Sequence, residues 1–195
     1  MRMSLRFTIT LVLSIVCLAM PVWADFQAGM DALNRGDYAT ALHEWRPLAE
    51  QGDALAQFNL GVLYRKGRGA PQDDVQARQW FEKAAAQGQA KAQFNLGTLY
   101  FNGEGVAKDY QQAFRWFRLA ADQGEALAQT KIAIMYDEGQ GVPQDIVQAY
   151  KWYSLAATNG DKPAPQLRDA LANQMTPAQI AEAQKLAREW KPKTP

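Results

Sequence analysis

Apolar residues recur along this chain at helical spacing, and the segments carrying them recur every 36 residues. Between Gly52 and Lys66 the apolar positions are Leu60, Leu63 and Tyr64, flanked by Ala56 and Phe58. That is the i, i+3, i+4 stripe of an amphipathic helix. A second stripe follows at Ala77, Trp80, Phe81, Ala84 and Ala85. It returns as Ala113, Trp116, Phe117, Ala120 and Ala121, and again as Ala149, Trp152, Tyr153, Ala156 and Ala157. Gly52, Gly88, Gly124 and Gly160 keep the same step, as do Asp37, Asp73, Asp109 and Asp145. A period of this length marks stacked units, none of which buries its apolar face alone. The pattern predicts an all-α solenoid of antiparallel helix pairs, with full units at 52–87, 88–123 and 124–159.

The punctuation between stripes supports that division. Gly67-Arg68-Gly69, Gly103-Glu104-Gly105 and Gly139-Gln140-Gly141 read as helix-to-helix turns. Neither a preceding strand nor a following Gly-Lys-Ser/Thr accompanies them, so they are not phosphate loops. Asp73 with Gln76, Asp109 with Gln112 and Asp145 with Gln148 have the spacing of reciprocal helix caps. Gly61 and Gly97 interrupt the first helix of their units, and Ala133 takes the same slot in the next. That pattern asks for a small residue under a close helix crossing. The aromatic stripe is read as core, with Trp80, Trp116 and Trp152 buried at matching levels.

Both ends depart from the repeat. Residues 25–51 read as a degenerate capping unit: a helix from Phe26 to Arg35, a turn at Gly36-Asp37, and a helix from Tyr38 to Gln51. Glu44 stands in the slot of Trp80, while Trp45 fills that of Phe81. Residues 160–195 read as C-terminal capping helices and a tail. Pro163 and Pro165 break the pattern, and Leu167, Leu171 and Met175 mark a short helix. Thr176-Pro177-Ala178-Gln179 starts the last helix, with Ile180, Ala183, Ala187 and Trp190 on one face. Lys191 to Pro195 is expected to fray.

Residues 1–24 carry a different signal. Arg2 and Arg6 precede an apolar run from Phe7 to Met20, and Val22-Trp23-Ala24 offers small residues before a cut. This predicts a cleaved signal peptide, a mature N-terminus at Asp25, and a periplasmic or secreted protein with no stable membrane insertion afterwards. Cleavage would also remove Cys17, the only cysteine, and with it any disulfide or thiol chemistry. Losing Arg2 and Arg6 would take the net charge from +1 to −1. That balance gives no reason to expect nucleic acid as partner.

No catalytic constellation stands out. His43, the only histidine, occupies the slot of Gln79, Arg115 and Lys151 and is expected to face solvent. Ser154 has no lysine three residues on, and it lies far along the stack from His43. There is no metal-ligand cluster and no cofactor motif. The reading is a non-enzyme.

The units align as A-x-A-Q-F-N-L-G-x-L-Y, then G-x-G, then D-x-x-x-A-x-x-W-F-x-x-A-A-x-x-G. This resembles the SEL-1-like repeat family, a relative of the tetratricopeptide repeats. The resemblance covers 52–159 strongly and 26–51 weakly. It implies a right-handed superhelix that scaffolds protein complexes, often exported in bacteria. A few secreted relatives are linked to β-lactam binding or hydrolysis, and some carry a cysteine pair per repeat, which this chain lacks. By analogy with tetratricopeptide repeats, the first helix of each pair would line a concave groove. Its positions would be Leu55, Asn59, Val62, Arg65 and Lys66 in one unit, and Lys91, Asn95, Thr98, Phe101 and Asn102 in the next. The following unit would add Leu127, Lys131, Ile134, Asp137 and Glu138. Asn59 and Asn95 would grip a peptide backbone, with cations at one end and acids at the other. The alternative is a cell-wall or polysaccharide ligand held by exposed aromatics such as Phe101.

Overall fold

The computed structural model describes residues 25–193. The export signal and Cys17 lie outside the described residues. Within them are ten helices and no strand. They are α1 Phe26–Asn34, α2 Tyr38–Glu50, α3 Ala54–Lys66, α4 Asp74–Ala86 and α5 Ala90–Asn102, then α6 Tyr110–Asp122, α7 Ala126–Glu138, α8 Ile146–Thr158, α9 Ala164–Ala172 and α10 Pro177–Glu189. From α1 to α9 each helix packs on the next in sequence, which is the contact pattern of stacked helix pairs. α10 turns back onto α8.

The helices of the three full units are each 13 residues long, and all but α7 start on a side-chain cap. Asp73, Asp109 and Asp145 accept the backbone N–H of Gln76, Gln112 and Gln148 at 2.9, 2.9 and 3.0 Å. The return bond expected from the glutamine does not form at these caps. The backbone N–H of each aspartate is already spent on a tyrosine carbonyl of the preceding helix: Tyr64, Tyr100 and Tyr136, at 2.9–3.0 Å. Only α10 has the full reciprocal box, between Thr176 and Gln179. In the loops, the second glycine does more than turn the chain. A Cβ on Gly141, whose φ is +71°, would stand 2.5 Å from the carbonyl oxygen of Tyr110. The loop thus rests on the first turn of the preceding unit's second helix.

The deepest core row is Trp45, Phe81, Phe117 and Tyr153, none more than 2% exposed. The tryptophan row beside it is uneven, contrary to the expectation of matching levels. Trp152 is wholly buried and Trp80 is 8% exposed, but Trp116 is only half-buried. The cause is what lies on top. The Lys83 ammonium sits 4.0 Å from the centre of the Trp80 ring. Trp190 packs edge-on against Trp152 at 6.2 Å. Trp116 has neither cover.

Neighbouring units are also joined by a buried amide ladder. Gln57, Gln93 and Gln129 each donate to a carbonyl of the preceding helix, those of Ala49, Ala85 and Ala121, at 2.9–3.2 Å. Each side-chain oxygen then accepts from Gln87, Gln123 or Asn159 at 2.8–2.9 Å. Every buried polar group in the ladder therefore has a partner, and the stack gains directionality that apolar contacts lack.

The tail does not fray up to Lys193. The Lys193 N–H donates to the Asp122 carbonyl at 2.7 Å, and its ammonium meets the Asp122 carboxylate at 2.8 Å. The far side of that carboxylate takes Arg118 at 3.0 Å. Two cations therefore compensate a carboxylate that is nearly buried.

Candidate functional site

The capped first helices place their exposed rows side by side, and a pocket of about 420 Å3 opens between α3 and α5. Phe58, Asn59, Val62, Arg65, Lys66 and Asn95 line it. Five groove positions named from the sequence therefore come together: apolar Val62 and the four polar residues Asn59, Arg65, Lys66 and Asn95. Lys91, Phe101 and Lys131 do not line this pocket.

The four differ in how free they are. The Arg65 guanidinium reaches across the repeat boundary to Asn95 Oδ1 at 3.1 Å and to Glu104 at 2.9 Å. Asn95 in turn donates to the Lys91 carbonyl at 2.8 Å, one turn back on its own helix. These two side chains hold α3 and α5 in register as well as lining the pocket. Asn59 has no side-chain hydrogen bond among the described residues, and Lys66 is exposed with no ion-pair partner there. The pocket thus offers a free amide and a free ammonium above an apolar floor of Phe58 and Val62. That combination suits an extended peptide with a carboxylate.

Farther along, the row changes sign at Asp137 and Glu138, which end α7. Burial pushes the Asp137 carboxyl above its ordinary range. Burial, with the charges of Asp137 and Glu138 adding to it, raises the Tyr153 phenol strongly. Phe101 is not an open aromatic platform. It packs edge-on against Tyr110 at 5.1 Å and against Phe117 at 6.3 Å, and the Lys131 ammonium covers it at 5.4 Å. Phe101 therefore presents no open ring face for a sugar to stack on.

The residues weighed for catalysis stand apart. The His43 side chain is 77% exposed, and its ring meets only Glu44. The Ser154 hydroxyl donates to the Tyr150 carbonyl within α8 at 2.8 Å. No group of three or more metal-ligating side chains forms among the described residues, and no helix there is long and apolar enough to cross a membrane. The sequence reading missed the amide ladder, although the recurrence of Gln57, Gln93 and Gln129 at a 36-residue step was its visible signal.

Comparison with known proteins agrees with this geometry. The family model described as Sel1 repeat matches residues 54–89, 90–125 and 126–161, two residues on from the boundaries set by the glycines. A search of the curated proteins finds no match. Among solved structures, a Sel1 repeat protein from Oxalobacter formigenes is 32% identical with a TM-score of 0.74, over 85% of this chain and 70% of that one. A protective antigen of uropathogenic Escherichia coli with an SLR fold is 31% identical with a TM-score of 0.60, over 85% of this chain and 44% of that one. Helicobacter pylori cysteine rich protein B shares the fold at 20% identity and a TM-score of 0.50, over 71% of this chain and 93% of that one. With three matched copies filling more than half of its length, and the buried ladder and loop contacts repeating in step with them, this chain belongs to the Sel1 repeat family.

Proposed function

We propose that this protein is an exported, non-catalytic scaffold that holds an extended segment of a partner protein in the groove between α3 and α5. The observation that carries the reading is the convergence on one apolar-floored pocket of Asn59 and Lys66, both unpaired among the described residues. Asn59 supplies both an amide donor and an acceptor for a peptide backbone, while Lys66 favours an acidic side chain or a terminal carboxylate. Arg65 acts as a wall, because Glu104 already neutralises it. The kinship with Sel1 repeat proteins supports a binding role over a catalytic one.

Export rests on residues 1–24. A cut after Ala24 would leave Asp25 as the first residue, where its carboxylate already caps α1 by accepting from the Gln27 N–H at 2.8 Å. The mature chain would then begin on a formed helix cap.

The test places a photo-crosslinking residue at position 66, and separately at Gln79 on the exposed side of α4, in protein expressed with its leader. Adducts to a defined partner from position 66 and not from 79 support the groove. Adducts from 79 alone would reject it. The intact mass of the exported material checks the start at Asp25.

A further inference from the structure

The 36-residue step takes Gly88 to Gly124, Trp116 to Trp152 and Leu119 to Leu155. The second set is covered by the chain's own C-terminus. Trp190 stands edge-on to Trp152, and its ring carbon Cη2 lies 4.0 Å from the point a Cβ on Gly124 would occupy. Trp152 and Leu155 are buried there. One step toward the N-terminus, the same surface is open. Trp116 is half-buried and Leu119 is 48% exposed. With Ala85, Gly88 and Gln93 they line a pocket of about 620 Å3 between α4 and α6. One further step back, the surface is closed by the protein itself, because Lys83 stands in the slot of Leu119 and lies over Trp80. Of three equivalent positions, one is sealed by a lysine, one is filled by a tryptophan, and one holds no ring among the described residues, with Lys193 at its edge.

We propose that the α4–α6 pocket is a socket for a tryptophan or similarly large aromatic side chain presented by a partner protein. The molecule shows its own version of the complex in the docking of Trp190. Edge-to-face contact with Trp116 supplies the favoured ring geometry. Leu119 and Ala85 supply apolar walls, and a buried aromatic anchor of this kind dominates the energy of many interfaces. Lys193, pinned to Asp122, forms one wall. A second copy of this chain is the poorer occupant. To offer Trp190 it would have to give up the contact with Trp152 and the Lys193–Asp122 pair. The socket shares no residue with the α3–α5 pocket, so either site can fail without the other.

The experiment titrates the chain lacking residues 1–24 with a synthetic peptide of residues 184–193, QKLAREWKPK, and follows the indole N–H signals by NMR. The Trp116 signal shifts and those of Trp80 and Trp152 do not. Replacing the peptide's Trp190 by Ala weakens binding at least about tenfold, as removal of a central aromatic anchor should. Leu119→Lys in the protein weakens it by about the same factor with the melting temperature unchanged, because Lys83 already fills that slot in the neighbouring unit. Lys66→Ala leaves the affinity within about twofold, being at a separate site. No shift of Trp116 at millimolar peptide, or binding that survives Leu119→Lys, overturns the proposal. A shift at Trp152 instead would mean displacement of the native tail, which also overturns it. Sedimentation is run in parallel, and a dimer abolished by Leu119→Lys would give the socket to a second copy and reject a separate partner.

Discussion

Gly97 lies directly under the ring of Phe117: a methyl built on the glycine would stand 2.7 Å from Phe117 Cδ1. Gly61 stands in the same relation to Phe81, at 2.6 Å. Both rings are fully buried and have nowhere to retreat. Alanine would gain about 1 kcal/mol of helix propensity, but overpacking a tight core costs typically ~1–3 kcal/mol. We expect Gly97→Ala to lose up to about 2 kcal/mol on balance, read as a lower urea midpoint with unchanged slope. A stabilised variant would show that the crossing has slack.

The amide ladder makes a separate prediction. Gln93→Leu removes the acceptor for the part-buried Gln123 amide and one of two donors to the buried Ala85 carbonyl, which keeps the Gly88 N–H at 3.0 Å. Each lost intramolecular hydrogen bond costs about 0.5–1.5 kcal/mol. A loss of about 1–3 kcal/mol is expected in denaturant melts. The double variant Gln93→Leu/Gln123→Leu should lose less than the two single losses combined, since the second change removes a group the first had orphaned. Strict additivity would mean that the two amides do not depend on one another.

The tryptophan row should respond unevenly. Trp152→Ala opens a cavity in a closed core and should cost about 3–5 kcal/mol. Trp116→Ala removes a ring that solvent already reaches, and the cost should be nearer 1–2 kcal/mol. Equal losses would contradict the graded burial of the two rings.

Most of the fold was legible because the repeat multiplies each signal. One Asp cap is weak evidence, but four at a constant step fix helix starts to within a residue. The chemistry of what covers a position was not legible in the same way. Trp80, Trp116 and Trp152 share one repeat slot, and their burial is set by Lys83, three residues along from Trp80, and by Trp190, 38 residues along from Trp152. Periodicity carries no information about a segment that folds back from outside the period, which is also why Lys193 was expected to fray. The groove residues were legible as a row. That Arg65 and Asn95 are tied to each other, while Asn59 is free, depends on side-chain reach across a repeat boundary.

Tyr153 gives a pH-dependent test of the core. It occupies the slot held by Phe81 and Phe117, and its phenol is held well above its usual value by burial, with Asp137 and Glu138 adding to the effect. A group whose folded pKa is raised keeps its full contribution below its unfolded pKa, here 10.0, and loses it as pH rises past that value. The phenol must ionise for the unfolded chain to gain, so the core should become alkali-sensitive above pH 10.0 and not at neutral pH. Tyr153→Phe keeps the ring and removes the proton. Wild type and variant should therefore melt together up to about pH 9, with the variant pulling ahead above pH ~10 by at most about 1.4 kcal/mol per pH unit, the limit for a single proton. Urea melts of both proteins from pH 7 to 11.5 measure the difference directly, and the other tyrosines and the lysines cancel between them. Parallel curves across the whole range would mean that Tyr153 ionises as easily in the fold as outside it, and that its hydroxyl reaches water past Asp137.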